Sequence, residues 1–380
     1  MKYMDMTSWN AEAWYQEARA EAQRSAEQYR KMGNHLINNY MNFMPGVSRE
    51  EIVRRLQRSN AKRLGAAPDP ARYPELRGMR DMVEALWRGQ RDGAQMDDAQ
   101  WAAYCDGNFY FHRELKGGMV HGCSYVFFPT SDRGPILANN LDSSPEEPFA
   151  EPVLPMVNEH VLTGGVSSGV FLDEDSPEIF PAPVYKLVGH FCRTAKEAVA
   201  MMTQYNHFWG PGNVLVLDRG RNAAMVEKSA CRIGVRWSGD GFAYVTAMTA
   251  EEPSMHAFLA GRRAASVKAR NLPEDCIDNA YWREADHRHA LMKELIGEAK
   301  SHPTLEGLRR IIQFRDPVRG KVCYNGEALM PGGPPCEHTI RTTLFILREG
   351  RALWWAREGD RPSFTNKPRE AVYPDAVHWE

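Results

Sequence analysis

No two cysteines of this chain form a Cys-x-x-Cys pair, and the 7 present (Cys105, Cys123, Cys192, Cys231, Cys276, Cys323 and Cys336) are odd in number and widely scattered. Disulfide scaffolds are short and cysteine-dense, and structural zinc sites use paired ligands, so neither organises this fold; reduced thiols are expected. Histidines four apart with a glutamate beside them are also missing, and no metal or other cofactor is expected. Charge of one sign is lacking as well. The 47 basic and 49 acidic residues leave a formal net charge of -2, which gives no footprint for nucleic acid or an anionic membrane surface. No apolar run approaches the roughly 20 residues of a membrane span. Residues 1–28 are polar and charged, without the apolar centre of a secretory signal. A cytoplasmic protein is expected, with no nucleic-acid or membrane partner and with a small molecule or a peptide as its partner.

What is there is ordinary globular material: 380 residues, 43% hydrophobic and 25% charged, enough for a sizeable core. The texture changes at residue 122. Before it, helix formers from residue 9 to about residue 40 put Trp14, Ala18 and Ala22, then Leu36, Ile37 and Tyr40, on one face, and Met44-Pro45-Gly46 ends the run. Ser48-Arg49-Glu50-Glu51 is a capping-box pattern opening a second helix to about residue 64, with Ile52, Val53 and Leu56 as its apolar stripe. A third helix is expected over 76–87. Residues 97–115 carry Trp101, Tyr104, Phe109, Tyr110 and Phe111, and read either as a plain helical cap or as the cover of a cleft.

After residue 122 short alternating strands are expected at 124–128, 136–140, 157–162, 169–172, 184–191, 214–217, 223–227, 233–237, 242–246, 339–347 and 352–356. Turn signals such as Asp218-Arg219-Gly220 and Ser238-Gly239-Asp240-Gly241 suit antiparallel hairpins. Helices interrupt them at 194–205, where Thr194 and Glu197 form another capping box, and at 255–270, 279–299 and 304–313. Strands in two blocks with helices between them predict an α+β fold of two antiparallel sheets covered by helices.

The chemistry turns on Cys123, which follows a glycine at the start of the first strand. At a Gly-Cys junction no side chain blocks the thiol's approach to its own preceding carbonyl. If the Gly122–Cys123 bond breaks, Cys123 becomes an N-terminus with a thiol of pKa about 8.5 and an amine of pKa about 8 on one residue. Such a residue needs a group to hold the amine and donors for the oxyanion. Asn140 and Asp142 lie on the return strand and share a face by strand periodicity, which makes them the candidates. From the residues alone, Asp142 reads equally well as a turn former, and Cys123 as a small buried hydrophobe. His287-Arg288-His289 stands on a charged helix, where residues two apart point to different faces. Cys336-Glu337-His338 follows a Pro/Gly-rich loop, and His121 precedes the Gly-Cys junction.

Gly122-Cys123-Ser124 followed by Asn140-Leu141-Asp142 resembles the opening of the penicillin acyltransferase family, the C45 peptidases, which are N-terminal-nucleophile (Ntn) hydrolases. Gly212-Asn213-Val214-Leu215-Val216-Leu217-Asp218, with Gly220 and Glu227, is similar to that family's G-N-x-L-x-x-D-x-x-G strand pair, and residues 311–316, Val322-Cys323 and 339–355 are similar to its C-terminal hairpin. The resemblance implies a four-layer αββα sandwich and a precursor that cleaves itself at Gly122–Cys123 into a helical chain, 1–122, and a catalytic chain, 123–380. It also implies that Cys123 attacks the acyl carbonyl of a small N-acyl amide or short peptide, that Asp142 orients the amine, and that the acyl group passes to water or to an acceptor amine. The pattern departs at three places: Asn139 stands where the family has arginine, Ala247 where it has asparagine, and Cys323-Tyr324-Asn325 where it has Cys-Arg-His. Asn140, Asn206 and Asn213 are then the candidate oxyanion donors. The alternative expectation is an Ntn-fold binding protein that is uncleaved or silent.

Overall fold

The structure, a computed structural model, describes residues 10–107, 122–143, 158–167, 188–189, 191–206, 211–229, 231–269, 271, 277–326, 338–358, 361–373 and 379. Asn10 caps the first helix, α1 (Ala11–Arg24), its side-chain oxygen accepting from Glu12 N at 3.0 Å and Ala13 N at 3.4 Å. The single helix expected over 9–40 is two: Ser25 leaves the helical region at φ -119°, and α2 (Ala26–Phe43) starts beyond it without a side-chain cap. Ser48 opens α3 (Arg49–Gly65), accepting from Glu51 N at 3.2 Å. The third expected helix begins later and runs further, as α4 (Met79–Ala94). Gly89 and Gly93 bring α4 against α1, since a Cβ at these positions would lie 2.4 Å and 2.3 Å from the carbonyl oxygens of Tyr15 and Arg19. A capping box of Asp97 and Gln100 opens α5 (Asp98–Asp106).

Then come β1 (Ser124–Phe128), β2 (Ile136–Ser143), β3 (Val161–Ser167), α6 (Ala195–Gln204), β4 (Gly212–Asp218), β5 (Ala223–Lys228), β6 (Ile233–Trp237), β7 (Ala243–Thr246), α7 (Pro253–Ala269), α8 (Ile277–Ala299) and α9 (Leu305–Ile312). A two-residue hairpin, β8 (Arg315–Asp316) with β9 (Gly320–Lys321), leads towards the closing strands β10 (His338–Ile346), β11 (Arg351–Ala356) and β12 (Arg369–Val372). One sheet has the order β12-β11-β10-β2-β1-β7 and the other β3-β4-β5-β6. All their pairings are antiparallel.

Strand alternation sorts the core into layers. Phe127, Leu137 and Phe345 of the first sheet meet Leu215, Leu217 and Met225 of the second. Their neighbours Val126, Phe128, Ile136, Ala138, Leu344 and Ile346 face the opposite way, onto Leu291, Met292, Leu295, Leu308 and Ile312 of α8 and α9. On the far side, Val214, Val216, Ala224 and Val226 pack against Ala195, Ala198 and Met202 of α6 and against Trp14, Met79, Met82 and Val83 of α1 and α4. The architecture is therefore an α+β sandwich in four layers, helix, sheet, sheet, helix, and the N-terminal helices supply part of one outer layer. A separate core joins α2, α3 and α5 through Leu36, Ile37, Tyr40, Ile52, Leu56 and Ala102.

Two strand expectations are corrected. The strand expected over 157–162 starts later, at Val161, and runs on to Ser167 as β3, residues 158–160 forming a bend before it. Within 184–191 the described residues Val188, Gly189 and Phe191 are helical, and Cys192 N donates to Val188 O at 2.9 Å, the spacing of a helical turn. The strand expected at 169–172, the aromatics Phe109, Tyr110 and Phe111, His121, Cys336 and Glu337 lie outside the described residues.

Candidate active site

Cys123 stands one residue before β1 and is buried in the layer between the sheets, with Phe127, Leu137, Leu215 and Val245. Ser124 pairs with Asn140 of β2 on one side and with Thr246 of β7 on the other. Carrying that antiparallel register back one step puts Cys123 level with Leu141, and one more puts Gly122 level with Asp142. Ala247 N donates to the Cys123 carbonyl at 3.0 Å, so the nucleophile candidate's backbone is fixed by the residue just past the end of β7.

On the other face of the sheet, Arg288 of α8 reaches the peptide that joins Gly122 to Cys123. One Arg288 nitrogen, Nη1, donates to the Gly122 carbonyl oxygen at 2.6 Å and to Asp142 Oδ2 at 2.8 Å. Both Arg288 and Asp142 are buried. The second carboxylate oxygen, Oδ1, accepts from Thr339 Oγ1 at 2.5 Å, and that hydroxyl accepts from Tyr324 N at 2.8 Å. The Tyr324 ring lies against the guanidinium, 5.1 Å from centroid to Cζ. A buried ion pair repays its desolvation only when the remaining hydrogen-bonding positions are met, and this one is met on both carboxylate oxygens. Burial pushes the neighbouring Cys323 thiol up to about 12, with the Asp142 charge adding to the effect.

Sequence reasoning missed Arg288, weighing it only as the residue between two histidines. Its signal was there: Ala285, Leu291 and Met292, three or four positions away, are apolar and buried, so Arg288 sits on the core face of an amphipathic helix. A cation on such a face needs a partner. The three neighbours point three ways, since His287 Nε2 meets Arg319 O at 2.9 Å and His289 Nδ1 meets Thr246 Oγ1 at 2.7 Å.

Asn140 and Asp142 do share a face, but it is the face away from the Cys123 side chain. Ser124 is the residue opposite Asn140, and with a period of two the side chain of Cys123 points the other way. The Asn140 amide is engaged in the outer layer: Nδ2 donates to Ile312 O at 2.7 Å and Val322 O at 3.3 Å, and Oδ1 accepts from Thr342 Oγ1 at 2.7 Å. Asn139 faces inward and donates to Ser124 O and Asn140 O, both at 3.1 Å.

The other motif residues build the frame. Asn213 Nδ2 donates to Thr246 O at 2.8 Å and Thr249 O at 2.6 Å, so that amide is committed to the loop carrying Ala247. Glu227 accepts from Glu251 N at 2.9 Å and Glu252 N at 2.9 Å and pairs with Arg236 at 2.8 Å, holding the same loop's far end. Asp218 Oδ2 accepts from Ala195 N at 2.9 Å, capping α6. Asn206 is buried just beyond the end of α6. Among the described residues no group of three or more His, Cys, Asp or Glu could hold a metal ion, and no helix is long and apolar enough to cross a membrane.

No protein-family model matches the chain, and no curated protein matches it. Among solved structures it is similar to a mutant of the conjugated bile acid hydrolase from Clostridium perfringens, at 11% identity and a TM-score of 0.36, over 67% of this chain and 98% of that one. It is also similar to a second variant of that hydrolase, at 11% identity and a TM-score of 0.32, over 69% of this chain and 91% of the other.

Proposed function

We propose that the chain is a self-processing cysteine amide hydrolase or acyltransferase of the Ntn type, with Cys123 as nucleophile. The observation that carries the reading is the hydrogen bond from Arg288 to the Gly122 carbonyl, because it polarises the peptide bond on the N-terminal side of Cys123, the bond that processing breaks. In the processing step Cys123 Sγ bonds to the Gly122 carbonyl carbon, and negative charge collects on the oxygen that Arg288 holds. The C–N bond to Cys123 then breaks, the nitrogen takes a proton, and the Gly122 acyl group is left as a thioester on Cys123. Water attacks the thioester, giving a Gly122 carboxylate and returning the thiol, with a free α-amine now beside it.

In this reading the Asp142 carboxylate, which stands level with Gly122 on the neighbouring strand, orients that amine. For substrate turnover the amine takes the thiol proton and passes it to the leaving amine of a small N-acyl amide or short peptide, while the acyl group goes to Cys123 and then to water or an acceptor amine. Asn140 serves this reading as a strut between β2, β10 and α9.

The test is covalent trapping. Exposure of the protein to small activated N-acyl amides, then rapid acid quench and mass analysis, is expected to show one acyl group on Cys123 in the fragment 123–380 and none in Cys123→Ala. An Ntn-fold binding protein without turnover is the second reading, favoured by Ala247 and by the commitment of the Asn213 amide to the 246–249 loop. It predicts no adduct on any amide tried.

A further inference from the structure

Two consecutive residues of α8, Arg288 and His289, reach the strands on either side of β1. Neighbouring residues on a helix point about 100° apart, and β1 lies between β2 and β7 in its sheet. Arg288 binds Asp142 of β2 and the Gly122 carbonyl. His289 goes the other way. Its Nδ1 lies 2.7 Å from Thr246 Oγ1 at the end of β7 and 3.2 Å from Thr249 Oγ1, and the two hydroxyl oxygens are 2.7 Å from each other. Ser124 stands opposite both Asn140 and Thr246, so this cluster is on the outer face of the sheet, behind Cys123.

The turn between those threonines is strained. Met248 is buried and has φ 64°, in the left-handed region that a residue with a Cβ rarely adopts. Such a conformation persists only where the surroundings over-determine it. Here Arg263 Nη2 donates to Met248 O at 2.6 Å, and Arg263 pairs with Asp286 of α8 at 2.7 Å. Asn213 Nδ2 holds the Thr246 and Thr249 carbonyls, and His289 ties the hydroxyls of the same two threonines. The turn held in this way presents Ala247 N to the Cys123 carbonyl at 3.0 Å. On its far side the imidazole has no hydrogen bond: Nε2 is 3.4 Å from Glu251 Oε1 and is not aligned for one. The contacts that fix the ring are those at Nδ1.

We infer that His289 is a positioning residue for self-cleavage, the second arm of a clamp that α8 closes on the Gly122–Cys123 junction. The two carbonyls that flank the Cys123 Cα are both held from this helix. Gly122 O is held directly by Arg288, and Cys123 O through His289, the two threonines and Ala247. Each peptide unit is planar, so restraining both of them restrains φ and ψ of Cys123. Only χ1 is then left to bring Sγ onto the Gly122 carbonyl carbon, and the geometry of attack is set before the bond forms. The inference rests on Cys123 being the nucleophile that opens this bond. It gives His289 no contact with the reacting atoms.

The experiment compares His289 variants of the full-length chain on two readouts: the rate of cleavage at Gly122–Cys123 by intact mass, and hydrogen exchange of the Ala247 amide by NMR, taken in the Cys123→Ala background. His289→Leu is expected to slow cleavage about 10²-fold, the scale of a misplacement of about 1 Å, and to speed Ala247 exchange about tenfold, the loss of one hydrogen bond's restraint. His289→Asn puts its amide where Nδ1 stands and should restore most of both. His289→Gln carries its amide out to the place of Nε2, towards Glu251, and should restore neither. Thr246→Val should match His289→Leu, and combining the two should cost little more, because partners in one network are not additive. Cleavage at the wild-type rate in folded His289→Leu, or equal behaviour of the Asn and Gln variants, would overturn the inference. Should His289→Leu fail to fold, the contrast between Asn and Gln decides alone. A wild-type chain that never cleaves, but in which Ala247 exchange still rises in the Leu and Gln variants and not in Asn, leaves the hold on the turn standing and removes the proposed function. Cleavage with both readouts indifferent to His289 does the reverse.

Discussion

Arg288 joins Asp142 to the Gly122 carbonyl through a single nitrogen, so the charge that Asp142 neutralises is the one available to an oxyanion on Gly122. Replacing it by glutamine removes the charge and leaves Asp142 buried without its cation. We expect Arg288→Gln to slow self-cleavage by about 10²–10³-fold, the usual cost of one oxyanion donor, and to destabilise the chain by about 3–5 kcal/mol, the cost of breaking a buried pair. Time-resolved intact mass and urea unfolding check the two effects. Cleavage at the wild-type rate in folded Arg288→Gln would take Arg288 out of the step. Asp142 was legible in the sequence as a carboxylate on the return strand of a hairpin. Its partner was not, because Arg288 lies 146 residues away on a helix, and only packing reveals which face of that helix is buried. Asn140 shows the opposite error. Strand periodicity rightly paired it with Asp142, but whether a face points towards the thiol depends on which residue of β1 stands opposite, and that register is a tertiary fact.

At the scale of elements, the loop from β7 to α7 is held at both ends by residues of the second sheet, Asn213 and Glu227. Those residues were legible as a motif, though not as struts, since a motif gives order along the chain and no partner. Glu251 in this loop adds a pH response. Its carboxyl is held well below the usual carboxylate range, chiefly by His289, with Lys293 and Arg236 also lowering it and burial opposing them. The ion-pair distances are 3.4 Å to His289, 2.7 Å to Lys293 and 2.6 Å to Arg236. A carboxyl whose folded pKa lies below its unfolded value of about 4.3 contributes stability above that value and loses it as the pH falls. Urea midpoints are therefore expected to drop as the pH is lowered from about 5 to about 3, and Glu251→Gln should flatten that drop. An equal slope in both proteins would contradict this account of the loop. The bulge at Ile340 was not legible at all, because Thr339, Ile340 and Arg341 alternate as any strand does and only pairing with β2 exposes the extra residue.

Across the whole molecule, alternating strands and the change of texture at residue 122 were enough to predict two antiparallel sheets covered by helices. The alternation that marks each strand also decides which residues meet the opposite sheet and which meet a helix, so the layers come from the pattern. The packing of α1 and α4 on the outer face of the second sheet did not, since Trp14, Met79 and Val83 mark a buried face without naming what buries it. That packing bears on processing: a chain cut after Gly122 keeps its helical part docked through this shared core. The most direct measurement is N-terminal sequencing with intact mass on purified protein held under native conditions, alongside Cys123→Ala. The account predicts two co-purifying chains, 1–122 and 123–380, the second beginning at Cys123, and a single unbroken chain for the variant. A wild-type protein that stays one chain, or that is cut at any other bond, would contradict it.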